Sequence, residues 1–206
     1  MIRLLSIVLI GIFAAGCGGG SSVRWSTPNK TEGEIKTILV AALSPVPENR
    51  ITAEEEMVYW LRKNKYNAFA SIDFIKPEKR LPRPEEIEKI LKENNLDGLI
   101  TLRLKDVEED SRYVSANERN AMTINQGYYY NYMNAWNAYF VPGYYSKAKM
   151  ITIESNVYET SDGKIVFTAD SDAIQATNIE YTISDLVQGV VSNIKTSKVL
   201  TPSKKK

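Results

Sequence analysis

From Ile35 to Leu43 the chain reads IKTILVAAL, a continuous apolar run of the kind that forms a strand buried on both faces. A loop with Pro45 and Pro47 follows, then Thr52-Ala53-Glu54-Glu55, a capping box that opens a helix. Ala53, Met57, Trp60 and Leu61 share one face of that helix, and Arg62, Lys63 and Lys65 complement the dipole at its end. Tyr66–Ile72 reads as a short second strand. Pro82 and Pro84 introduce a second helix that runs through Asn95, with Ile87, Ile90 and Leu91 as its apolar stripe and Asn94-Asn95 as its stop. Asp97–Val107 returns as a third strand, with Ile100, Leu102 and Leu104 on one face. After a long excursion, two strand-like runs flank Asp162-Gly163, a strong hairpin signal. Thr177-Asn178-Ile179-Glu180 caps a last helix carrying Ile179, Ile183, Leu186, Val187, Val190, Val191 and Ile194. The order β-α-β-α-β, then β-hairpin and helix, predicts a single α/β sandwich: a mixed sheet, parallel in its first part, with helices packed on it.

The two ends fall outside this pattern. Residues 1–16 carry one cation, Arg3, then the apolar run LLSIVLIGIFAAG, too short for a membrane span of about 20 residues and suited to a secretory signal peptide. The chain's one cysteine, Cys17, follows Ala14-Ala15-Gly16 directly, which resembles the lipobox of bacterial lipoproteins. That resemblance implies acylation of Cys17, cleavage before it, and a membrane anchor. Gly18 stands where the resemblance would place Asp for inner-membrane retention, so the periplasmic leaflet of the outer membrane is expected, with surface display as the alternative. Residues 17–34, rich in Gly, Ser, Thr and Pro, read as a flexible tether; 35–200 as the α/β domain; 201–206 as a polar tail, expected to be frayed.

Composition removes most chemistry. The 206 residues hold no histidine, which excludes a Ser-His-Asp triad and histidine metal sites. Cys17 is consumed by the anchor, so neither a thiol nucleophile nor a zinc cluster is expected. Formal net charge is +1, with no basic field for nucleic acid, and Gly18-Gly19-Gly20 is tether rather than a phosphate loop. Among carboxylates, Glu54, Glu55 and Glu56 read as dipole compensation in a first helical turn, and Glu108, Glu109 and Asp110 as a solvated turn. Asp170 and Asp172 point the same way on a strand, but no loop supplies the six or more oxygens a calcium ion takes. No catalytic residue, cofactor or metal is therefore expected.

The order of lipobox, strand and Pro-containing loop, Asp97-Gly98-Leu99-Ile100, aromatic insertion, and hairpin Val157-Tyr158-Glu159 … Asp162-Gly163-Lys164-Ile165-Val166-Phe167 resembles a family of small bacterial lipoproteins of uncharacterised function. At fold level it is similar to the α/β domains of penicillin-binding-protein activator lipoproteins, the curli secretion lipoprotein and the N-terminal domain of the Tol translocation protein. The resemblance implies an adaptor that binds other envelope proteins.

Within an insertion spanning 111–146, the stretch GYYYNYMNAWNAYFVPGYY holds seven of the twelve tyrosines. Tyr129, Tyr132, Met133, Trp136, Tyr139 and Phe140 fall at helical spacing, with asparagines and Gly127 that favour bends. The candidate binding residues are Tyr128, Tyr129, Tyr130, Tyr132, Trp136, Tyr139, Phe140, Tyr144 and Tyr145. Four readings compete: a lid packed on the domain, a protein interface, a glycan-stacking surface and a membrane-interface belt. Nucleic acid would want interleaved cations, and Tyr128 to Tyr145 has none. The expected function is an outer-membrane-anchored, non-catalytic envelope adaptor; a glycan-binding module is the alternative, and a carboxylate-dependent hydrolase stands behind both.

Overall fold

The structure is a computed structural model that describes residues 22–44, 46–76, 81–107, 127–138, 150–174 and 179–203. Six strands form one sheet in the order β1-β6-β5-β4-β2-β3. β2 (Thr37–Leu43) lies parallel to both β3 (Asn67–Ala70) and β4 (Gly98–Val107), while β5 (Met150–Glu159) and β6 (Ile165–Ile174) add an antiparallel hairpin beside β4. The mixed α/β sandwich expected from the pattern is the observed architecture. Alternation along the strands gives the sheet two apolar faces. Ile38, Val40, Ile100, Leu102, Val157 and Phe167 meet the stripes of α1 (Pro47–Lys63) and α4 (Ile179–Ser197). Leu39, Ala41, Leu99 and Tyr158 meet Ile87, Ile90 and Leu91 of α2 (Pro84–Glu93) and Tyr132 of α3 (Tyr128–Ala138) on the other side.

Most local signals land where the residues put them. Pro84 is at the first position of α2, whose N3 residue Glu86 accepts from the Arg83 amide at 2.9 Å. Asn94 caps α2, and Asn95 takes the left-handed conformation at φ 49°. Gly163, at φ 72°, turns the hairpin.

Four expectations need correction. The first concerns the tether: residues 22–34 are built into the sheet. Ser22–Ser26 form β1, paired with β6 from Ser22↔Asp172 to Ser26↔Thr168. Its period of two explains why. Val23 packs on the core, Trp25 stacks on Phe167 with ring centres 5.8 Å apart, and Arg24, on the opposite face, meets Asp172 at 3.0 Å. The following loop is held as well, because Glu159 accepts from the amides of Glu32 and Gly33 at 2.8 Å each.

The other corrections are smaller. α1 begins at Pro47 rather than at the Thr52 box, since Pro47 presets the first turn. Glu54 is consequently in the helix interior and buried, not in a first turn. The second strand ends at Ala70, and Ser71–Asp73 turn as a 3-10 helix. The tail is fixed through 203: Leu200 is buried, Thr201 donates to Ile35 O at 2.8 Å, and Ser203 donates to Lys65 O at 2.7 Å. The signal peptide, Cys17, Glu108, Glu109, Asp110 and the Thr177 cap lie outside the described residues.

Candidate functional site

The tyrosine-rich stretch begins as a regular helix, not a bent lid. Gly127 O accepts from Asn131 N at 3.2 Å, the first turn of α3, and Asn131 is itself buried. The helix starts against the hairpin turn: a Cβ on Gly163 would stand 3.2 Å from the Tyr128 ring. Tyr132 is the seat. It is 1% exposed, sits in the cluster with Leu81, Ile87, Leu91, Leu99 and Tyr158, and donates its hydroxyl to Pro82 O at 3.2 Å. Burial, reinforced by the Glu54 charge, raises its hydroxyl pKa far above the ordinary value. Tyr132 is therefore a core residue and is removed from the candidate contact set.

Its neighbours divide. Tyr128 is half-buried and meets Tyr158 edge-on, ring centres 6.5 Å apart. Tyr129 and Tyr130 face solvent, and Tyr129 donates to Glu85 of α2 at 3.0 Å; that bond raises the Tyr129 pKa, while the Glu85 pKa is lowered first by its own backbone amide and then by Tyr129. Of Trp136 the structure describes the helical backbone alone, and Tyr139, Phe140, Tyr144 and Tyr145 lie outside the described residues.

A buried polar centre escaped the sequence reading. Arg50 and Glu54, one turn apart on α1, are 1% and 0% exposed. Glu54 accepts from Arg50 Nε at 3.1 Å, Ala42 N at 3.0 Å, Ile72 N at 2.9 Å, and the Ser71 hydroxyl. Arg50 Nη2 donates onward to Ser71 Oγ at 3.0 Å and Ile75 O at 3.3 Å. Burial pushes the Glu54 carboxyl pKa up, and Arg50, the two amides and Ser71 oppose it. Every distance points to a tie joining β2, α1 and the turn after β3, not to an acid poised for chemistry. One signal was available: 50, 53, 54, 57, 58 and 61 share a helical face, so both charges fall on the apolar stripe.

The second sheet face turns polar beyond Tyr158. Asn156 donates to Glu154 at 3.4 Å, Arg103 approaches Glu154 at 4.0 Å, and Thr152 donates to Asp172 at 2.7 Å. Among the described residues, no donor reaches the buried Asn156 Oδ1. Asp172 is engaged by Thr152 and Arg24, and no group of three metal-ligating side chains occurs among the described residues. A hollow at the carboxyl ends of the strands, lined by Ala42, Leu43, Asn49 and Leu102, has a volume of 10 Å³, space for one water at most. Among the described residues, no helix is long and apolar enough to cross a membrane.

No family model and no curated protein matches the chain. Among solved structures, a PelC dodecamer from Paraburkholderia phytofirmans with one leucine-to-methionine change is 10% identical; the likeness covers 89% of this chain and 99% of that one at a TM-score of 0.50. A second PelC dodecamer from the same organism is 13% identical over the same shares, at 0.47. A PDZ domain protein from Parabacteroides distasonis is 11% identical and covers 91% of this chain and 38% of that one, at 0.41. None of the three is a penicillin-binding-protein activator, a curli secretion lipoprotein or a Tol domain. At these identities the PelC likeness shows a shared fold alone, and the twelve-fold assembly is PelC's.

Proposed function

We propose that this chain is a lipid-anchored, non-catalytic adaptor of the bacterial outer membrane, held at the periplasmic leaflet through Cys17, with α3 as its partner-binding element. One observation carries the reading. Tyr132 fixes α3 in the core while Tyr129 and Tyr130 stand exposed on the same helix, so large amphipathic rings are presented from a seated backbone. Presenting tyrosines this way lowers the ordering entropy a partner must overcome, the usual design of an interface anchor.

The test is in-cell cross-linking followed by mass spectrometry, comparing the native chain with the double variant Tyr129→Ala/Tyr130→Ala. Both side chains are exposed, so the variant is expected to melt as the native chain does while losing a specific cross-linked envelope protein. An unchanged cross-linked set from a folded variant refutes the reading. A glycan-binding role has one observation in its favour: the exposed Tyr129 hydroxyl is paired with the Glu85 carboxylate, a ring beside an acceptor for sugar hydroxyls. Co-sedimentation with peptidoglycan, lost in the double variant, distinguishes it from protein binding.

A further inference from the structure

We infer that the carboxyl-end rim of the sheet, carrying Val46 and Phe74, lies against the lipid headgroup region and sets the orientation of the domain; this rests on the reading of Cys17 as the anchor. The argument begins with distance. Five residue steps separate Cys17 from Ser22, the first residue of β1, and a fully extended chain of that length spans at most about 18 Å. Several of those ångströms are used crossing the headgroups, which account for about 5–8 Å of each leaflet. A domain with a long tether could tumble over the membrane. This one starts almost at it.

Direction follows from the register. β1 runs antiparallel to β6, and its first residue pairs with Asp172 near the carboxyl end of β6. β6 is antiparallel to β5, which is antiparallel to β4, and β4 is parallel to β2; the carboxyl ends of β2, β4 and β6 therefore share the end of the sheet where β1 begins. β3, parallel to β2, ends there too.

Among the described residues, Val46 and Phe74 stand exposed at the carboxyl ends of β2 and β3. Val46, 44% exposed, follows β2 at the cap of α1, and Phe74, 41% exposed, follows the turn after β3. They lie beside strands four and five places from β1, about 19–24 Å across the sheet at about 4.8 Å per strand. The anchor holds one corner of the rim and the apolar pair holds the other, and two separated attachments fix a tilt where one does not. The Arg50–Glu54–Ser71 tie lies directly behind this second corner: Arg50 is in the first turns of α1, and its Nη2 holds the carbonyl of Ile75, next to Phe74. Both side chains are thus carried on a braced corner rather than on free loops. Among the described residues, the exposed charges next to the pair are mixed, Glu48 and Asp73 against Lys76, so the contact is apolar and does not call for anionic lipid. The hairpin turn at Asp162-Gly163, where α3 begins, then points away from the bilayer, about 30 Å off along the ten residues of β5.

The experiment uses the full acylated chain reconstituted in phosphatidylcholine vesicles containing doxyl-labelled lipid. Variants Val46→Cys, Phe74→Cys, Lys36→Cys and Ser161→Cys each carry one environment-sensitive fluorophore, because acylation of the Cys17 sulfur leaves a single thiol. Lys36 and Ser161 are exposed at the opposite end of the sheet. Quenching at 46 and 74 is expected to exceed that at 36 and 161 by at least about two-fold, as for side chains at the interface. Acylated protein with equal quenching at all four positions, or stronger quenching at 161, overturns the orientation and leaves the anchor standing. Intact mass showing an unmodified Cys17 overturns the anchor itself, and the inference with it.

Discussion

Replacing Tyr132 with alanine tests whether α3 belongs to the folded core. The side chain is 1% exposed and packs among Leu81, Ile87, Leu91, Leu99 and Tyr158, while its hydroxyl satisfies Pro82 O at 3.2 Å. Truncating a buried aromatic to alanine costs about 3–5 kcal/mol. For a chain of this size each kcal/mol lowers Tm by about 2–4 °C, so Tyr132→Ala should melt roughly 6–20 °C below the native domain. Tyr132→Phe keeps the ring and removes only the hydrogen bond, at a cost of about 0.5–1.5 kcal/mol. Thermal denaturation followed by circular dichroism measures both variants. Hydrogen exchange locates the effect, with the Asn131 amide, bonded to Gly127 O, losing protection in the alanine variant first. An alanine variant that melts within error of the phenylalanine variant would mean that the ring contributes nothing, and α3 would then have to be treated as an appendage.

Three more outcomes are expected. Glu54→Ala strands the buried Arg50 guanidinium and should destabilise by about 3–5 kcal/mol, whereas the double change Arg50→Met/Glu54→Leu should recover most of that, both read from urea midpoints. Burial holds the hydroxyl pKa values of Tyr132 and Tyr158 above the unfolded value of 10.0, so the folded state keeps those protons; their contribution is complete below that pH and is lost as pH rises beyond it. Tm should accordingly fall as pH climbs above 10, and tyrosinate absorbance from these two should appear only together with unfolding; a Tm unchanged there contradicts their burial. Trp25→Ala removes the stack on Phe167 and should cost about 1–2 kcal/mol with fraying confined to β1, visible as exchange of the β1 and β6 amides while β2 and β4 stay protected.

The elements read most easily are those whose local chemistry agrees with their packing. α2 has Pro84 at its start, an unbroken apolar stripe and Asn94 at its stop, and each signal does in the structure what it does in isolation. The Asp162-Gly163 hairpin is equally local, because the φ of 72° at Gly163 is a property of the residue type. β1 was illegible for the opposite reason. Ser22–Ser26 has only two apolar positions, and what makes it a strand is the open edge of β6, 142 positions later at the Trp25–Phe167 stack and beyond the reach of any window. The Arg50–Glu54 centre hides in another way: charges on an apolar stripe read as a break in the pattern unless the partner, Ser71 with the Ile72 amide, is known to lie behind them. In the tyrosine stretch, composition suggested bends, but the contact of Tyr132 with the α2 layer outweighs the weak helix preference of asparagine.

The pairing of β1 has a mechanical meaning. β1 begins at Ser22, so a load applied through that residue along the strand acts parallel to β1, across the hydrogen bonds that join it to β6. Five register pairs, from Ser22↔Asp172 to Ser26↔Thr168, then share the strain in shear, and none can yield without the others beginning to slide. Had the chain entered from the side of the sheet, the same bonds would open in sequence like a zipper, each bearing the whole force in turn. With the proposed anchor at Cys17, a pull at the far end of the domain would act along the best-braced direction of β1.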